Sequence, residues 1–203
     1  NVCMQMGTEF ISIDPQLTWW GARAAYWLPL RPATDAALAM AAFPQGPGTP
    51  WAFWFFVLCT IADALLEISF VPGMLVFGAG HVCLIAWLWG LATPSWWSLA
   101  LWVAVYILTA ILFRKELPTL GKLTAPFLLY PALLGGSLAL GLPLVFLLGW
   151  EWWPVALGTL LFSISDMLVA KNQLAHWDDK WQKPIMALYW GALYLISVGL
   201  WVI

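Results

Sequence analysis

The chain has 203 residues, 63% of them hydrophobic and only 9% charged, with a mean hydropathy of +0.86. Soluble domains carry roughly 25% charged residues, so this composition, with 17 tryptophans, excludes a water-soluble globule and points to an integral membrane protein. A net charge of −2 with no basic run argues against a nucleic-acid partner, and Cys3, Cys59 and Cys83 fit no CxxC or other metal-ligand spacing.

Residues 1–16 show no signal-peptide pattern, and 1–31 read as an N-terminal cytoplasmic or interfacial segment. Residues 32–203 read as one all-α domain, a polytopic transmembrane helix bundle. Pro, Gly and charge clusters cut it into seven apolar segments at 32–44, 50–69, 73–92, 95–113, 123–148, 152–171 and 184–203. Six are long enough to span a hydrocarbon core of roughly 30 Å as helices. The first is short and can extend back through "AAYWLPL", kinked at Pro29 and Pro32. Trp pairs at 19–20, 96–97 and 152–153 mark segment ends, as interfacial aromatics do.

The basic residues give the segments a direction. Arg23, Arg31, Arg114, Lys115, Lys122, Lys171, Lys180 and Lys183 all fall in or beside the N-terminal region, the 114–122 loop or the 172–183 loop. With seven spans these regions share one side, together with the 70–72 turn. The opposite loops, 45–49, 93–94 and 149–151, contain no Lys or Arg. The positive-inside rule places the first set in the cytoplasm.

Direction turns sequence position into depth. Asp63 lies six residues, and Asp166 five, from the inner ends of their segments. At about 1.5 Å per residue both carboxylates sit about 8–9 Å from the cytoplasmic ends of their helices. Glu67 is one turn below Asp63 on the same helix face. Asp35 lies near the inner end of the first segment, where it also suits a helix N-terminus. His81, Tyr130 and Tyr189 enter from the inner ends of theirs, and Lys171 and Asn172 close the sixth. Intramembrane ionisable residues face the bundle interior or a water-filled cavity. The expected picture is a polar pocket in the inner-leaflet half, walled by apolar and aromatic side chains.

Several chemistries lack their residues. A zinc site needs about three protein ligands, and the chain has two histidines, one of them (His176) in a loop. A retinal Schiff base needs a mid-membrane lysine, and segment 184–203 has none. Neither "CTIADALLE" nor "FSISDMLVA" carries the Gly-x-Gly-Asp motif of paired-aspartate intramembrane proteases. Ser163 and Ser165 lack a GxSxG context. Two carboxylates remain. Two like charges in a poorly hydrated pocket do not both ionise easily, which supplies a general acid beside a carboxylate. That arrangement serves reactions passing through an oxocarbenium ion. It serves equally a proton-coupled transporter or a lipid-binding membrane protein, and the geometry alone leaves these open. No metal or cofactor is called for.

Longer stretches carry a resemblance. "ADALLEISFVPGMLVFGAGHVCLIAWL" (62–88) and "GTLLFSISDMLVAKNQL" (158–174) resemble the two signatures of the YhhN family of integral-membrane lysoplasmalogenases. "RPATDAAL" (31–38) and "MALYWGALYLI" (186–196) resemble its entry and final-helix motifs, so the likeness covers about residues 31–203. Ala62 replaces the usual Gly before the aspartate, Arg31 replaces Lys, and Leu193 stands where Gln is common. The family typically has eight spans, one more than the seven read here.

The resemblance implies hydrolysis of the vinyl ether bond of a lysoplasmalogen, with an ethanolamine or choline headgroup, to a fatty aldehyde and a glycerophospho-base. It implicates Asp63 and Asp166 as the catalytic pair. The substrate is then a lysophospholipid, a single-chain amphiphile drawn from the membrane lipid. Glu67, His81, Tyr130, Tyr189, Asn172 and Asp35 are candidates for holding it, and Arg31 and Lys171 for contacting its phosphate. The expected location is a bacterial cytoplasmic membrane, with the pocket toward the cytoplasm.

Overall fold

A computed structural model of the chain describes residues 49–116, 121, 124–175 and 181–201, with two three-residue strands, β1 (Ile11–Ile13) and β2 (Tyr26–Leu28), paired in parallel. The rest of the described chain is an all-α bundle of six principal helices. They are α1 (Thr49–Ile68), α2 (Phe70–Leu91), α3 (Trp96–Leu112), α4 (Thr124–Gly141), α5 (Trp153–Ala175) and α6 (Gln182–Val198). A single helical turn, Leu144–Leu147, and a 3-10 turn, Trp150–Trp152, join α4 to α5. The first sequence segment, 32–44, lies outside the described residues.

The punctuation of the sequence sets the breaks. Only Ser69, in extended conformation, separates α1 from α2. The turn expected at 70–72 is therefore shorter than the sequence suggests. Pro72 sits inside the first turn of α2, where a missing N–H costs nothing. Ser95 starts α3 with a reciprocal capping box: its hydroxyl accepts from Ser98 N–H, and the Ser98 hydroxyl accepts from Ser95 N–H. In hydrocarbon each backbone group must be satisfied within the helix. The mid-helix hydroxyls follow suit, Thr60, Thr109 and Ser163 each donating to the carbonyl four residues back.

Three stretches, Phe70–Leu91, Phe127–Leu147 and Trp150–Asn172, are long and apolar enough to cross a membrane. The apolar stretches Pro50–Leu66, Trp96–Leu112 and Lys183–Val198 are shorter. Their helices follow the sequence segments 50–69, 95–113 and 184–203 closely, with 20 residues in α1 and 17 each in α3 and α6. α1 ends at Ile68 against the Ser69 break, α3 is capped at Phe113, and α6 continues as a 3-10 turn at Gly199–Trp201. Large apolar side chains cover the outside, Leu75, Val82, Ile107, Leu108 and Ile111 among them. On a protein in water such a surface would drive association; in lipid it is the ordinary one. The chain is a membrane protein.

α1 packs on α2 and α5 on α6, while α4 runs between α2, α3 and α5. The main core gathers Phe55, Phe56, Leu84, Trp87, Leu88, Leu144, Val155, Phe162 and Ile196. Trp87 and Trp152 belong to it, so not every tryptophan faces lipid. A smaller cluster of Met74, Phe113 and Phe127 lies where α2 and α4 begin and α3 ends. Between the two clusters the packing opens.

Candidate active site

The opening is a cavity of about 340 Å³, within the range of small-molecule sites. Every helix contributes from the same end of the bundle: Asp63 and Leu66 from α1, Met74 and Phe77 from α2, Thr109 from α3, Tyr130 from α4, Asp166 from α5 and Tyr189 from α6. Helical spacing selects these residues. Met74, Phe77 and His81 share one face of α2, and Phe127, Tyr130 and Leu134 one face of α4. Phe162, Asp166 and Ala170 recur four apart on α5. Pro131 removes one backbone donor from α4 beside Tyr130, and Trp102 Nε1 donates to the neighbouring Ala132 carbonyl at 2.8 Å.

Both aspartates line this cavity and both are buried, Asp63 at 6% and Asp166 at 8% exposure. A buried carboxylate is costly unless hydrogen-bonded, and each has a tyrosine donor from another helix. Tyr189 Oη donates to Asp63 Oδ2 at 3.1 Å. Tyr130 Oη donates to Asp166 Oδ2. The same Asp166 oxygen lies 3.3 Å from His81 Nε2, and His81 Nδ1 lies 3.1 Å from Ser137 Oγ. His81 is fully buried. Phe162 lies edge-on to both His81 and Tyr189, with centroids 5.0 and 5.5 Å away. One ring thus separates the Asp63 and Asp166 networks. Apart from the carboxylates, the two tyrosines, Thr109, Ser165 and Asn172, the lining is apolar, and the chamber offers two acidic groups in a mostly greasy, semi-enclosed space.

Asp63, Asp166, His81, Tyr130 and Tyr189 therefore come together around one chamber. Asn172 lines it as well, and its Oδ1 is buried without a hydrogen-bond partner among the described residues. Lys171 points elsewhere. Its Nζ donates to Glu116 Oε1 at 2.5 Å and to the Leu112 carbonyl at 3.1 Å, and stands 5.2 Å from the Phe113 ring centre. That hydrogen-bonded ammonium holds the Glu116 carboxyl below its ordinary value of 4.5. Arg31, Asp35 and the Glu67 side chain lie outside the described residues.

Sequence reasoning passes over Ser137 and weighs Ser165 only as a nucleophile. Ser137 holds His81, and Ser165, fully buried beside Asp166, donates to the Ile185 carbonyl at 3.1 Å and so fixes α5 to α6. The signals were faint: Ser137 follows a Gly-Gly pair in "LLGGSLALG", and Ser165 directly precedes Asp166.

No curated protein and no solved structure matches the chain. The family model described as the YhhN family matches residues 28–200, nearly the whole chain and both aspartate stretches. The chain belongs to the YhhN family.

Proposed function

We propose that the protein is a lysoplasmalogenase that uses Asp63 and Asp166 for acid-base hydrolysis of a vinyl ether within the membrane. The family's characterised members have this activity. The observation that carries the reading here is the pair of buried carboxylates, on α1 and α5, opening into one apolar chamber.

The chemistry asks for little else. One aspartic acid gives its proton to the vinyl β-carbon; the C=C electron pair forms the new C–H bond, and an oxygen lone pair makes the α-carbon an oxocarbenium ion. The other aspartate, ionised, stabilises that cation and orients a water, which adds to the α-carbon. The proton lost by the water restores the acid. The resulting hemiacetal breaks its bond to the glycerol oxygen, releasing aldehyde and glycerophospho-base. The sum is one vinyl ether and one water consumed, with no redox change. A chamber shielded from bulk water strengthens the charge interactions that lower this barrier.

In this reading the lipid chain packs on deeper apolar lining residues such as Phe77 and Leu134, with the headgroup toward the rim near Phe70 and Phe113. Arg114, Lys115 and Lys183 are exposed at that end, which the positive-inside rule puts in the cytoplasm. Purified protein given lysoplasmenylethanolamine should release fatty aldehyde. Uptake or binding that depends on pH, without aldehyde, would replace this reading by a proton-coupled transporter.

A further inference from the structure

The paired-aspartate chemistry leaves open which carboxyl carries the proton. We propose that Ser137 and His81 make Asp166 the proton donor, by fixing the imidazole so that a proton must lie between His81 and Asp166. The inference rests on the proposed hydrolysis for its catalytic meaning, and on geometry alone for the position of the proton.

Proton counting starts at Ser137. A hydroxyl has one proton to donate. The Ser137 hydroxyl is back-bonded to the Leu134 carbonyl at 2.9 Å, so its proton is committed. Toward His81 Nδ1, 3.1 Å away, Ser137 is therefore an acceptor, and Nδ1 carries hydrogen. A neutral ring protonated on Nδ1 has a bare lone pair on Nε2. That nitrogen faces Asp166 Oδ2 at 3.3 Å, in a site where His81 is fully buried.

Two lone pairs do not face each other there without cost. Tyr130 cannot relieve them, because its phenolic proton is donated to the same Asp166 oxygen. A proton must stand between Nε2 and Oδ2. Written as imidazole with carboxylic acid, or as imidazolium with carboxylate, the pair holds one transferable proton. Asp63 is held by its own donor, Tyr189, on the other side of the Phe162 ring. With Asp166 as the donor, Asp63 takes the second role of the pair, facing the developing cation.

The other titratable groups around the pair are Cys59 and Asp63 on α1, Tyr130 on α4 and Tyr189 on α6; α3 lines the chamber with Thr109 and Phe113. None of these donates to Nδ1. Ser137 is thus a positioning residue acting through His81. When Asp166 protonates the substrate, the carboxylate left behind keeps its bond from Tyr130. The proton from the attacking water returns to the Asp166–His81 pair.

Two readouts test this. The chain has two histidines, so ¹⁵N-histidine NMR in a His176→Gln background reports His81 alone. Hydrogen on Nδ1 is expected at neutral pH, moving to Nε2 in Ser137→Ala. A neutral Nε2–H ring in the Ser137 protein overturns the proposal. In aldehyde-release assays, loss of one hydrogen bond should move the basic limb of the Ser137→Ala profile about 0.7 pH unit toward acid. The low-pH rate should be retained, and Ser137→Thr, which keeps a back-bonding hydroxyl, should restore the limb. A merely structural Ser137 would lower the rate at every pH and leave the limb in place, and that outcome overturns the proposal. If the unsubstituted protein releases no aldehyde, the hydrolase reading fails, while the NMR result still decides where the proton lies.

Discussion

Where α2 ends and α3 begins, the bundle is closed by tight contacts at glycines. A Cβ on Gly199 would lie 1.9 Å from Val155 Cγ2, one on Gly141 2.5 Å from Thr159, and one on Gly158 3.0 Å from both the Ala192 carbonyl and the Ile196 nitrogen. Small residues let transmembrane helices approach this closely. At the opposite end α1 and α2 still meet closely at Gly73 and Leu66, but the six helices together leave a 340 Å³ chamber containing every buried carboxylate among the described residues. Water-free hydrocarbon offers no hydrophobic push between helices, so packing in one half must hold the geometry that the other half uses. The hollow half can carry charge because the solid half does not yield.

The largest expected effect lies in the hollow half. Asp63→Asn and Asp166→Asn should each reduce aldehyde release by about 10²–10⁴-fold, the usual worth of a general acid or base, and leave the melting temperature near its starting value. Full activity in either variant would remove that carboxylate from the chemistry. Tyr189→Phe comes next. It deletes the donor to Asp63, a charge-assisted bond of about 1.5–3 kcal/mol, so the rate should fall about 10–100-fold with little change in apparent substrate affinity. Gly158→Ala probes the solid half. The new methyl meets backbone atoms that cannot rotate away, and overpacking of this kind costs about 1–3 kcal/mol. Thermal unfolding should shift downward. If Gly158→Ala instead cuts the rate without touching stability, the division into frame and chamber is wrong.

The sequence makes the chamber legible and its walls less so. Lys and Arg placement gives each helix a direction, and direction puts Asp63 and Asp166 at one depth. Depth is an axial coordinate, and rotation is a different one. α2 and α4 are apolar around most of their circumference, so no polar stripe announces which face meets a neighbour. His81 is visible as one of two histidines, but its contact with Ser137 depends on how α4 is turned toward α2. A search over ionisable groups passes over a serine that acts by accepting a proton bond. The helix ends are more legible: the segments ending at 69 and 113 stop where α1 meets the Ser69 break and α3 its Phe113 cap. The charge of Lys171 suggests a phosphate contact from sequence alone, because its partner, Glu116, stands 55 positions away.

That pair gives the smallest effect and the finest test of the comparison. Lys171 of α5 fastens onto Glu116 and the Leu112 carbonyl, so it ties the end of α3 to the rim of the chamber. Glu116 is held below its ordinary 4.5 by the Lys171 hydrogen bond. A carboxyl depressed on folding stabilises the fold above its unfolded value, and that contribution is lost as pH falls through the folded value. The melting temperature of the native chain should therefore exceed that of Glu116→Gln slightly at neutral pH. The gap should close below pH 4.5 and narrow in high salt, because the pair lies near solvent. Aldehyde release at neutral pH should hardly change, since neither charge lines the chamber. A loss as large as that of Tyr189→Phe would mean that the rim shapes the chamber as strictly as the glycine contacts do, and the rigid frame would then have to extend to both ends of the bundle.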